Sequence, residues 1–357
     1  MSSADLSVRY SATTLIAFAA QLFERAGLSA NRAEVLASIF LEADLLGFST
    51  HGMQRVPSNL QWLQSGESAA NGDHQVLVDL PCLFSWDARM LPGPWICSVA
   101  IDAAIEKAQS QGVAVGVLRR SQHAACLAAY LPEILENNLV GILIASTPAE
   151  GNVCAHGGID PVFSPNPFAM AIPAPDEPVL FDISLSVTAF GKVTRALREG
   201  VPLPENCLKN RQGNVSNDPA TMFTEPPGAI LPIGGITHGY KGFALNIMSE
   251  VLTMALSGYG RSNVNAGEPE ANSLFILVLD PEKFGTLASF EQEVAFLRKL
   301  CEDSQVRDGD PAVRMPGSRA WSLRTEQLKN GVELYPSIIE DIAPWAERLG
   351  VALPTPI

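Results

Sequence analysis

Apolar side chains recur at helical spacing over residues 13–26 (TTLIAFAAQLFERA) and again over 31–46 (NRAEVLASIFLEADLL), so the chain opens on two helices. Asn31, three residues before Glu34, has the spacing of a capping box at the start of the second. Gly47 stops that helix and leaves Ser49, Thr50 and His51 in the following loop. A short helix is expected around SNLQWLQSG, after Pro57. From residue 75 onward the pattern changes to short apolar strands (QVLVDL, GVAVGVL, LVGILIAS, FAMAIP, PVLFDIS) separated by Gly and Pro loops. One long helical pattern interrupts them at 95–112. Beyond the Pro- and Asn-rich stretch 202–232, KGFALNIMSEVLTMALSG (241–258) reads as a buried helix and SLFILVLD as a further strand. Two amphipathic helical patterns, FEQEVAFLRKLCED and IIEDIAPWAERLG, flank RMPGSRAW in the tail. The pattern predicts a mixed α and β protein, with helices packed on a mixed sheet.

Composition sharpens this. In 357 residues, charged types reach only 17% while hydrophobic types reach 47%, which favours a densely buried globular protein with large subunit contacts, and hence an oligomer. A net charge of −14 opposes both the phosphate backbone of nucleic acids and the anionic face of membranes, so neither partner is expected. An anionic small molecule would have to be met by a few locally placed cations. Six scattered cysteines without a C-x-x-C pair read as reduced thiols of the cytoplasm. The N-terminal apolar run has no basic segment before it and no small-residue cleavage site after it, so neither a signal peptide nor a membrane span is expected.

The chain has no G-x-G-x-x-G, no G-x-x-x-x-G-K-[ST], no G-x-S-x-G and no H-E-x-x-H, which disfavours Rossmann dinucleotide enzymes, P-loop NTPases, α/β-hydrolases and zincins. No two of the five histidines lie at metal-ligand spacing, so no metal is expected. His51, beside a hydroxyl and a glycine, suits a general acid that hands a proton to an oxygen; a capping or packing residue is the other reading. Arg55 and Lys241 are the cations that could grip a carboxylate or phosphate, unless each is a surface ion pair. Asp182 ends an apolar strand and is followed by ISLS, which places an acid and two hydroxyls where ligand sites gather; it would orient a histidine or merely start a turn.

Taken together, EADLLGFSTHGMQRVP, RRSQHAACLAAY, FSPNPFAMAIP, VLFDISLSVTAFGK, ILPIGGITHGYKGFAL, LSG and the late MPG resemble, in order and spacing, the malate/L-lactate dehydrogenase family of non-Rossmann NAD(P)-dependent oxidoreductases. That family includes hydroxycarboxylate, ureidoglycolate and sulfolactate dehydrogenases and the reductases of Δ1-piperideine-2-carboxylate and Δ1-pyrroline-2-carboxylate. The resemblance implies that fold, with a largely antiparallel mixed sheet and a helical N-terminal region. It implies NADH or NADPH as cofactor, a small anionic 2-oxo, 2-hydroxy or cyclic 2-imino acid as substrate, and a cytoplasmic homodimer. It makes His51 the proton donor, with Thr50 and Asp182 as relay partners, and Arg55 the substrate-carboxylate contact. Cofactor contacts fall on Ser121, Gln122 and His123, on Asp182, Ile183 and Ser184, on Tyr240 and Lys241, and on Gly317, Ser318 and Arg319.

Three departures stand out. Thr50 replaces the usual Ser and keeps its hydroxyl. Pro165 replaces the Thr of G-T-N-P, which removes a hydroxyl and a backbone donor near substrate. Arg319 adds a cation after the late glycine turn, which hints at a cofactor phosphate. The expected division places residues 1–115 and 240–357 in a helical, substrate-binding and dimerising region, and 116–239 in a cofactor-binding mixed region. Two other readings remain: a metal-dependent lyase or hydrolase built from the scattered histidines, and an inactive relative that serves as a binding protein.

Overall fold

The computed structural model describes residues 8–149, 151–264 and 271–357. Helices Ala12–Arg25 and Ala30–Leu45 pack against each other, with Val56–Ser65 and the C-terminal helix Pro336–Leu349 beside them. Their apolar faces share one core that includes Leu15, Phe23, Leu36, Phe40, Met53, Leu60 and Ile342. Strand Val8–Tyr10 pairs antiparallel with Val332–Leu334 and ties the two ends of the chain into this layer.

The second helix departs from its expected start. It begins at Ala30 with extended Ser29 as its cap residue, so Asn31 already lies inside the first turn and the Asn31–Glu34 capping box does not form. Residues 49–51 are not an open loop either: Ser49–His51 and Met53–Arg55 are two successive 3-10 turns.

A seven-stranded sheet forms the centre of the molecule, in the order Gln75–Leu80, Leu83–Asp87, Val113–Ser121, Asn272–Leu279, Val140–Ser146, Phe168–Ile172, Val179–Ile183. Every pairing is antiparallel except that of Leu83–Asp87 with Val113–Ser121, which the helix Gly93–Gln111 connects. That helix buries Ile96, Ile101 and Ala104 in a core shared with Leu118, Leu143, Leu274 and Ile276. Strand Asn272–Leu279 lies between Val113–Ser121 and Val140–Ser146, so the sheet draws on both sides of the expected division at residues 115 and 240.

A smaller five-stranded sheet packs with helix Phe190–Glu199 around Val153, Leu208, Met222 and Ile230. The helix expected over 241–258 begins at Gly235 and runs to Glu250, then widens into one π-helical turn, Val251–Ala255. It is not the buried helix that its apolar content predicts. Ile236, Tyr240, Ile247 and Val251 are 51%, 52%, 46% and 49% exposed.

Candidate active site

The loop that carries His51 is built from below by a carboxylate. Asp44 lies on the apolar face of helix Ala30–Leu45, among the buried Phe40, Leu41 and Leu45. Its Oδ2 accepts a hydrogen bond from the Met53 amide at 2.7 Å. Gly52 passes so closely over this group that an added Cβ would lie 2.3 Å from the carboxyl carbon. The turns Ser49–His51 and Met53–Arg55 therefore meet directly above Asp44.

His51 is half-buried. The Thr50 hydroxyl lies 2.9 Å from its Nδ1, and Arg55 Nε donates to the Thr50 carbonyl at 3.1 Å. The His51 ring stacks on His123, with centroids 5.8 Å apart and planes inclined by 23°, and the Trp62 ring lies 6.3 Å from His123. Burial first, and the Arg55 charge second, lower the His51 pKa to about 4. Burial, Arg55 and His51, in that order, hold His123 well below the usual imidazole range. Both rings are thus neutral near pH 7. His123 Nδ1 accepts the Ala125 amide at 3.0 Å, which leaves the ring hydrogen of neutral His123 on Nε2.

Asp182, at the end of strand Val179–Ile183, does not bond to the His51 ring. Its Oδ2 accepts the Ala128 amide at 2.9 Å and the Cys126 thiol at 3.4 Å, so the acid anchors the segment that follows His123. Burial raises its pKa. Ser121 and Gln122 are buried and their side chains are engaged within the protein: Ser121 donates to the Gln122 carbonyl, while Gln122 accepts the His123 amide and donates to the Glu67 carbonyl.

The other expected cofactor segments lie along strand Val179–Ile183 and the residues that follow it. The Leu185 amide donates to the Pro165 carbonyl at 2.9 Å, and the Ile233 amide to the Leu185 carbonyl at 3.1 Å, which brings Pro165 and the entry to helix Gly235–Glu250 to either side of Ser184 and Leu185. Exposed Tyr240 and Lys241 lie in the first two turns of that helix, with Lys241 Nζ 5.9 Å from the Tyr240 ring centroid. Gly317, at φ +87°, seats the late turn on the same strand: a Cβ there would lie 2.3 Å from the Leu180 carbonyl oxygen. It opens helix Ser318–Asn330, whose first amides, with exposed Arg319 beside them, offer donors for an anionic group. Exposed Ile183 and Tyr240 offer apolar surface for rings. These residues suit a nicotinamide dinucleotide. Among the described residues no three His, Cys, Asp or Glu side chains gather as a metal site.

Sequence reasoning missed Asp44 as the support of the loop, Trp62 as a wall beside His123, and Asn166 as a buried hub. Asn166 takes the Ser164 hydroxyl and donates to Asn246, which in turn donates to the Leu185 carbonyl. The signal for Asp44 was available: it is a lone charge on the apolar stripe of a helix.

Residues 10–343 match the family model described as malate/L-lactate dehydrogenase. The chain is 27% identical over 350 residues to a malate dehydrogenase of Pyrococcus horikoshii, covering 96% of each. It is 30% identical over 325 residues to an L-sulfolactate dehydrogenase of Methanothermobacter thermautotrophicus, covering 90% of this chain and 91% of the other. Among solved structures it is similar to a Δ1-piperideine-2-carboxylate reductase from Pseudomonas syringae pvar. tomato, with a TM-score of 0.81 at 29% identity over 95% of this chain and 99% of that one.

Proposed function

The chain belongs to the malate/L-lactate dehydrogenase family, whose members are oxidoreductases that act on small hydroxy acids with a nicotinamide cofactor, and on that premise we propose that His51 is the proton donor in the reduction of a small 2-oxo acid or cyclic 2-imino acid at C2. The observation that carries the reading is the cluster of the stacked His51 and His123 rings, the Thr50 hydroxyl on His51 Nδ1, and Arg55 one short turn away.

When bound, the nicotinamide supplies or accepts the hydride at C2. Arg55 holds the substrate carboxylate, with a planar guanidinium suited to two parallel hydrogen bonds. In reduction of a ketone, the oxygen that gains negative charge takes a proton from the His51 imidazolium; in oxidation the neutral ring removes that proton. The depressed pKa of His51 makes the free site a base rather than an acid. A carboxylate docked on Arg55 neutralises one of the two causes of that depression, so substrate binding and proton uptake favour each other. The Thr50 hydroxyl can donate to Nδ1 or accept from it, so it holds the His51 ring in place in both its neutral and its protonated state and leaves Nε2 to exchange the proton with substrate. Asp182 serves the site through the 126–128 segment rather than through the histidine.

A cyclic imine can enter already protonated and so asks less of His51 than a ketone does. Its rate should accordingly depend less on pH. The cofactor is held at the strand end 182–184, by Tyr240 and Lys241, and at the turn 317–319, where the Arg319 charge favours NADPH over NADH. The cofactor surface then draws on both sides of the expected division, on 182–184 within 116–239 and on Tyr240, Lys241 and the 317–319 turn within 240–357, while residues 1–115 supply His51 and Arg55 for the substrate. The protein works as a cytoplasmic homodimer, and the exposed apolar stripe Ile236, Ile247 and Val251 supports the homodimer.

A screen of the purified protein with NADH and NADPH against 2-oxo acids and cyclic imines tests the reading. Turnover with one of these classes supports it. Cofactor fluorescence changes without turnover on any of them would make the protein a binding relative instead.

A further inference from the structure

We propose that Asp44 is a positioning residue of this site: its carboxyl, wedged beneath the Gly52–Met53 peptide, sets the separation and tilt of His51 and Arg55 without touching substrate. This rests on the reading of His51 and Arg55 given above.

Three features of the geometry converge. The carboxyl is almost wholly buried, at 4% exposure of the residue, and among the described residues its one hydrogen bond is from the amide of Met53, the first residue of the turn that ends in Arg55. Gly52, the joint between the turns, leaves no room over the carboxyl: a Cβ would lie 2.3 to 2.4 Å from its carbon and both oxygens. Beneath it, the main chain of residue 44 is clamped. Gln327 Nε2 donates to the carbonyls of Asp44 and Leu45 at 2.9 and 3.1 Å, and the Gly47 amide donates to Asp44 O at 2.9 Å. Gln327 belongs to the helix that Gly317 opens, so the support of the His51 loop and the late cofactor turn share one rigid element.

An aliphatic side chain would fill this apolar site at lower desolvation cost, so what the carboxyl contributes is an acceptor at one place. The Arg55 bond to the Thr50 carbonyl then links the two turns into a unit whose height is set at its centre. Burial raises the Asp44 pKa to about 7. Because an amide oxygen accepts as well as a carboxyl oxygen, the positioning role does not require the charge.

The test compares D44N, which keeps the acceptor, with D44L, which keeps the approximate size and loses it, and with G52A, which pushes the joint off its support. Melting temperatures identify folded variants; steady-state kcat and KM and the NMR signal of the His51 ring, assigned by loss in H51Q, are the readouts. D44N should stay within about threefold of wild type in kcat/KM, while D44L and G52A should fall by about tenfold to 10²-fold, the range expected when a reacting group is displaced by up to an ångström. The His51 signal should move in D44L and G52A and stay in place in D44N. If D44L does not fold, G52A and D44N carry the comparison. D44L equal to D44N, or D44N as impaired as D44L, overturns the proposal. A wild-type protein without turnover on any 2-oxo acid or imine refutes the functional reading instead, and the His51 signal then decides the positioning role by itself.

Discussion

At the scale of residues, the site is a set of imidazoles kept neutral by burial and by one guanidinium. His51→Ala should lower kcat for ketone reduction by about 10²- to 10⁴-fold, with cofactor affinity measured by nicotinamide fluorescence nearly unchanged; an unaltered kcat would remove His51 from the chemistry. The pH dependence has a definite sign. Oxidation of a 2-hydroxy acid needs neutral His51, so kcat/KM, which reports the free enzyme, should stay level as pH falls from neutrality and drop as it nears the His51 pKa of about 4. A break near the ordinary imidazole value would contradict this. Arg55→Ala should raise KM and move the same break upward, because the Arg55 charge is the second cause of the depression. The grouping of Thr50, His51 and Arg55 was legible because they share one short loop, whereas the expected pairing of Asp182 with His51 does not form: the acid instead holds the Ala128 amide and the Cys126 thiol. The contact of His51 with His123 was not, since it joins residues 72 positions apart through a fold that no local pattern encodes.

At the scale of elements, six of the seven strands of the central sheet were legible as apolar runs: Gln75–Leu80 matches its expected span although all its residues are exposed, and five others shift by a few residues at most, while Leu83–Asp87, where Ser85 and Asp87 break the apolar run, was missed. Two-residue strands such as Leu208–Lys209 and Ala229–Ile230 carry no period and were missed. Helix Ser318–Asn330 was missed because it is mostly polar and buries only Gln327, so no apolar stripe announces it. Its start nonetheless matters. Gly317 combines φ +87° with close approach to the Leu180 carbonyl, so Gly317→Ala must displace the turn from the strand. Cofactor dissociation constants from fluorescence titration should rise by about tenfold or more, and unchanged affinity would place the cofactor away from this turn.

At the scale of the whole molecule, the low share of charged residues agrees with the apolar surface that the single chain leaves open. Helix Leu287–Glu302 buries none of its residues, and Phe296, Leu297 and Leu300 are all exposed on it. Sedimentation should find a dimer at micromolar concentration, and Ile247→Glu should shift it toward monomer; a wild-type monomer would refute the homodimer. The central sheet also constrains how the molecule is made. Its middle strand, Asn272–Leu279, comes late in the chain, and it is what pairs with the inner edges of Val113–Ser121 and Val140–Ser146. Asn272 also holds the Ala124 amide, next to His123. A chain cut before this strand should therefore have neither a closed sheet nor a fixed second imidazole, and should aggregate through two unpaired edges, which light scattering of the truncated protein would check.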